Sequence, residues 1–111
     1  MFIINDDSPI PAIEVEIKRV QSLLQDLKRA SAGRHPNSRT LVKASVLDNW
    51  QMAYRPEPCL VGIMHDHPHV TDGHLGMTSG VWLLAPTIGY ARTLSRVYVL
   101  GRPLPNRNTL S

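Results

Sequence analysis

The apolar positions divide the chain into two regimes. From Ile10 to Leu27 the apolar residues fall at Ile10, Ile13, Ile17, Val20, Leu24 and Leu27. The steps alternate three and four, which marks one face of a helix and a heptad seam. The spacing predicts a helix over residues 9–32. Ser8 is its expected N-cap, Pro9 its first position and Gly33 its C′ residue. Glu14 and Lys18 stand at i,i+4, and Lys28 and Arg29 lie near the negative end of the dipole. The seam Ile13, Ile17, Val20, Leu24 and Leu27 has two readings: a face laid on a sheet, or a pairing face for a second copy. Packing on the sheet ranks first, because the seam spans fewer than three heptads.

Beyond residue 58 the pattern shortens to apolar, β-branched runs. CLVGIMH (59–65), LGMTSGVWLLA (75–85) and YARTLSRVYVL (90–100) read as three strands of a meander. Gly76 and Gly80 mark a bulge or a close backbone approach, and PTIG (86–89) a turn. Residues 33–58 form a connector. Its RHPNSR reads as loop, a short helical pattern lies within 41–54 with Ser45 as N-cap, and RPEP is extended. Residues 101–111 form a proline-rich tail expected to fray. The expected fold is α+β: one domain over 1–111, with an antiparallel meander of three or four strands covered by the amphipathic N-terminal helix. Trp50, Trp82 and Cys59 are expected in the core.

Composition changes this picture little. An apolar fraction of 42 % with 19 % charged residues argues against disorder. There is no apolar run long enough for a transmembrane helix. The start MFIINDDSP has no basic segment, so no secretory leader is expected, and the single Cys59 forms no internal disulfide. A cytoplasmic location follows as the expectation. Charge is uneven. Residues 1–33 hold five acids and four bases, whereas no acid follows Asp72 and the bases there are Arg92, Arg96, Arg102 and Arg107.

The stretch HDHPHVTDGH (65–74) holds four of the five histidines. Asp72-Gly73 between two apolar runs signals a hairpin turn. His65, His67 and His69 alternate and could ligate zinc from one side of a strand, with Asp66, Asp72 or His74 as further donors. Pro68 interrupts that alternation, and no H-E-x-x-H or C-x-x-C pattern is present, so no metal or other cofactor is expected. The segment 90–100, split by the strand period, puts Arg92, Leu94, Arg96, Tyr98 and Leu100 on one face. Guanidinium groups interleaved with an aromatic ring suit a protein interface or a single-stranded nucleic acid. Ser79 lacks a G-x-S-x-G setting, so no nucleophile is assigned.

The stretch from Arg55 to Pro103 resembles a family of short alphaproteobacterial proteins of unknown function. The residues that carry the resemblance are Arg55, Pro56, Pro58, Cys59, Leu60 and Gly62; His67, Pro68, Asp72 and Gly73; Thr78 and Ser79; and Tyr90 to Arg96, Tyr98, Leu100, Gly101 and Pro103. It covers about residues 47–103. Asp66 departs from the family pattern, which has Gly there, and His65, His69 and His74 fall outside it. The resemblance implies turn architecture for His67-Pro68 and Asp72-Gly73, and it implies no activity. The functional expectation is a non-enzymatic cytoplasmic adaptor or regulatory module. It would bind a macromolecule through Arg92, Arg96, Tyr98 and Arg102. A protein partner ranks ahead of nucleic acid, and no membrane is expected. The alternatives are a metal-binding protein or metalloenzyme built on His65, His67, His69 and His74, and a structural homodimer through the helix.

Overall fold

The computed structural model describes residues 1–105; the end of the expected tail, with Arg107, lies outside the described residues. Among the described residues two helices and six short strands run in the order β1 (Phe2–Ile3), α1 (Ala12–Ser31), α2 (Ser38–Lys43), β2 (Val61–Met64), β3 (His74–Met77), β4 (Val81–Ala85), β5 (Tyr90–Thr93) and β6 (Val97–Val99). The fold is α+β, as expected. The described residues form two compact units, residues 9–54 and residues 1–8 with 55–105. No helix among the described residues is long and apolar enough to cross a membrane.

In the helical unit, α1 ends where the sequence places its stop. Gly33 has φ +75, its N–H donates to the Ala30 carbonyl, and the Arg34 N–H donates to the Arg29 carbonyl. This pair of bonds is a Schellman motif, and the left-handed turn favours glycine. The start differs. The helix begins at Ala12 behind Pro11, and the Ser8 N–H is bound by the Asp6 carboxylate. Ser8 is therefore not the cap, because Asp6 closes its own local turn first. That bond holds the Asp6 carboxyl below its usual range. No residue of α1 is buried, and Ile17, Val20, Leu24 and Leu27 are all exposed. The short helix lies earlier than expected: Asn37 caps it by accepting the Thr40 N–H at 2.9 Å, so NSR starts a helix rather than belonging to a loop. Trp50, expected in the core, is 72 % exposed in a connector without regular structure.

The other unit holds the core: Ile4, Met64, Val81, Ala85, Ala91 and Thr93. Its main sheet has the order β1-β4-β5-β6, and β2 pairs with β3 separately. The meander differs from the expected one in three places. First, β1 adds a parallel edge strand, with Phe2 beside Leu83 and Ile3 beside Leu84. Second, the expected strand over 75–85 is two strands in two sheets. Between them the chain changes partner: the Thr78 N–H donates to the Leu60 carbonyl and the Val81 N–H to that of Pro58, both at 2.8 Å. The proline-extended segment before β2 thus takes the place of a strand. A Cβ at Gly80 would sit 2.6 Å from the Glu57 carboxyl carbon, so that flexible side chain would have to swing aside.

Third, the expected strand over 90–100 is a hairpin. The Thr93 N–H donates to the Arg96 carbonyl at 3.0 Å, and Thr93 Oγ1 accepts the N–H groups of Ser95 and Arg96. A threonine that satisfies the turn through its side chain needs neither glycine nor proline, so the alternating pattern ran through the turn unbroken. Trp82 sits at the register shift between Val81 and Leu83 and stays partly exposed, and Cys59 is exposed; neither is in the core.

Candidate interaction edge and histidine loop

The turn at Thr93 and Arg96 redistributes the expected arginine and tyrosine face. Directly paired residues in an antiparallel ladder share a face. Ala91 pairs with Tyr98 and Leu84, whereas Arg92 pairs with Val97 and Leu83. Arg92 and Tyr98 therefore lie on opposite faces of the sheet. A single strand over 90–100 would place them on one face. Arg92 instead donates from Nη2 to the Leu94 carbonyl at 3.3 Å, and Arg102 is exposed past the end of β6.

Tyr98 turns toward the histidine loop. Its hydroxyl lies 3.3 Å from His67 Nε2, and the two rings stack at 6.1 Å between centroids and 24° between planes. The His69 N–H donates to His67 Nδ1 at 3.0 Å, which leaves the proton of a neutral ring on Nε2, aimed at the Tyr98 oxygen. Partial burial, helped by the positive field of Arg96 and by His69, holds the His67 imidazole below its usual range. His67 thus pins the β2–β3 loop to β6. The sequence marked His67, Tyr98 and Arg96 separately. Their meeting needed the tertiary fold, since His67 and Tyr98 are 31 residues apart.

The remaining loop residues serve its shape. Asp72 accepts the Asp66 N–H at 2.9 Å and lies 3.6 Å from His65 Nδ1. The Asp66 bond, with help from His65, keeps the Asp72 carboxyl ionised below the ordinary carboxylate value. Asp66 itself is left-handed at φ +59, and Gly73 at φ +80 donates its N–H to the Met64 carbonyl. Asp66 takes this conformation because Asp is among the side chains that adopt this region readily. Among the described residues no three His, Cys, Asp or Glu side chains gather as metal ligands. His65 turns to Asp72 and His67 to Tyr98, while His74 pairs with Met64 at the closing rung of the hairpin.

Two further surfaces stand out. Among the described residues β6 is an edge strand. Its ladder bonds fall at the Gly89–Leu100 and Thr93–Arg96 rungs, so with a period of two the intervening bonded pair is Ala91 and Tyr98. The N–H and carbonyl groups of Val97 and Val99 then point away from β5, toward the open edge. Both side chains are exposed, Val99 at 88 %. On β2–β3, Val61, Ile63, Leu75 and Met77 share one exposed apolar face. In the helical unit a groove of about 540 Å³ is lined by Asp26, Arg29, Arg34 and His35 among others, and Asp26 already pairs with Arg29 at 3.4 Å.

No curated protein and no solved structure matches this chain. A family model does, over residues 14–109, which takes in most of α1 as well as the stretch from Arg55 to Pro103. The chain belongs to that family, the family of unknown function DUF6634.

Proposed function

We propose that this protein is a non-enzymatic cytoplasmic adaptor or regulatory module whose β6 edge takes up an extended, acidic segment of a protein partner. One observation carries the reading. Among the described residues β6 is an edge strand whose outward backbone groups at Val97 and Val99 lie between Arg96 and Arg102 in the sequence, with Arg92 on the neighbouring strand opposite Val97. An open edge offers main-chain hydrogen bonds to any extended chain, and side-chain charge selects among them. No acidic residue follows Asp72 in the sequence, so the edge favours an acidic strand over a basic one. Nucleic acid ranks lower. A stacking reader needs a free aromatic face, and the Tyr98 ring is already stacked on His67.

The test uses an alternating Glu-Val peptide about eight residues long, near the length of a strand. Amide chemical shifts of the protein are followed during titration. The expected result is saturable shifts at Val97 and Val99 that weaken with salt and are absent with an alternating Lys-Val peptide. Val99→Pro removes an outward N–H and leaves the bonds to β5, so it abolishes binding in a folded protein. Shifts that avoid β6, or equal response to both peptides, overturn the proposal. Salt-sensitive binding of a labelled oligonucleotide in preference to the acidic peptide would do so in favour of nucleic acid.

A further inference from the structure

We infer that α1 pairs with α1 of a second copy in antiparallel orientation, with Glu14 of each chain beside Lys28 of the other. The helix runs over 20 residues, or about 30 Å, and buries none of them. Its seam is nonetheless continuous: Ile13, Ile17, Val20, Leu24 and Leu27 follow the 4, 3, 4, 3 spacing of paired helices. Ile17, Val20, Leu24 and Leu27 are 39–57 % exposed. An apolar stripe of this length needs a cover.

The charges beside the seam identify the cover. With Ile17 and Leu24 at position a, and Val20 and Leu27 at d, the flanking e positions are Glu14, Gln21 and Lys28, and the g positions are Glu16, Leu23 and Ala30. In a parallel pair each g residue meets an e residue of the partner. That gives Glu16 with Gln21 and Leu23 with Lys28, with no opposite charges matched. In an antiparallel pair e meets e and g meets g. The register that sets Ile17 against Leu27 and Val20 against Leu24 of the other copy brings Glu14 to Lys28 twice, by symmetry. It also sets Gln21 against Gln21 and Leu23 against Leu23, and so gives the exposed Leu23 an apolar neighbour. Glu14 and Lys28 make no ion pair within the chain among the described residues; the pairs on α1 are Arg19 with Glu16 and Arg29 with Asp26. The helix is acidic in its first turn and basic in its last. Only a partner of reversed polarity matches both ends, and α1 run backwards is such a partner. Opposed macrodipoles favour the same orientation.

Sedimentation equilibrium of the full chain, from micromolar to submillimolar concentration, tests the inference. The wild type is expected to dimerise. Val20→Glu weakens the association by roughly 100-fold, since it places a carboxylate in each half of the seam. Glu14→Lys and Lys28→Glu each weaken it about 3- to 10-fold by setting like charges together at both symmetric sites. The double swap Glu14→Lys with Lys28→Glu restores the wild-type constant, because the pairs re-form with reversed sign. A monomeric wild type, or a Val20→Glu variant that dimerises as the wild type does, overturns the inference. A double swap no better than the single variants overturns it too, since a parallel pair holds residues 14 and 28 far apart. The single and double swaps lie on the exposed flank, so they remain informative if Val20→Glu disturbs the helix itself.

Discussion

The two units use their apolar residues in opposite ways. The β unit buries few, and those it buries are mostly small: Ala85 and Ala91 are fully buried, Thr93 is 1 % exposed and Val81 6 %. The helical unit has the longer apolar pattern and buries none of it in α1. The pattern on α1 is regular because a helix repeats one geometry, and a regular face suits a second helix. The β-unit pattern is interrupted by partner changes at Thr78, Gly80 and Thr93, where local hydrogen bonds rather than burial decide the path. Regular amphipathicity therefore marks α1, and the core of the β unit lies where the pattern looks least regular.

The difference can be broken at its strongest point first. Ala91→Leu forces a larger side chain between Leu84 and Tyr98 in a site with no exposed surface. It should cost about 3 kcal/mol of unfolding free energy, read by urea denaturation; a loss below about 1 kcal/mol would mean the sheet yields readily there. Thr93→Val keeps the shape and removes the hydroxyl that holds Ser95 and Arg96 in the turn. The expected cost is about 2 kcal/mol, with faster amide exchange at Ser95 and Arg96. Unchanged exchange would show that the backbone bond from Thr93 to Arg96 suffices. Gly76→Ala would place a Cβ 2.8 Å from the Met64 sulfur, so Met64, which is buried, must move. That cost should be about 1 kcal/mol and should vanish when Met64 is also shortened to Ala.

A pH titration sharpens the picture of the loop. His67 holds its proton less readily in the fold than in the open chain, because burial, Arg96 and His69 all oppose the cation. The unfolded chain therefore binds protons more readily at this position, and stability rises with pH there. The docking of His67 on Tyr98 is intact above the ordinary imidazole value of about 6.5 and fades as pH falls through the lower folded value. The ring-proton resonances of His67 should titrate below that of a free histidine, with the His69 amide shifting in step as Nδ1 takes up a proton. A midpoint at or above the ordinary value would show that the stack with Tyr98 does not persist in solution. The smallest effect belongs to the other unit. Val15→Ala, off the seam and 56 % exposed, should change stability by no more than about 0.5 kcal/mol in the same denaturation assay.

The sequence by itself determined the long helix, its stop at Gly33, the acidic start and basic end of α1, a local turn at Asp72 and Gly73, and an α+β class. Each of these is local: a period, a cap or a turn residue acts within a few positions of itself. Tertiary structure decided what depends on partners far along the chain. It split 75–85 because Thr78 and Val81 bond back to Leu60 and Pro58, and it seated Phe2 and Ile3 beside β4. It folded 90–100 at a turn that Thr93 closes through its own hydroxyl, which carries no glycine or proline to announce it. That turn separated Arg92 from Tyr98 and gave Tyr98 to His67. A strand period cannot show such a change, because side-chain alternation continues in the sequence while the backbone has already reversed direction.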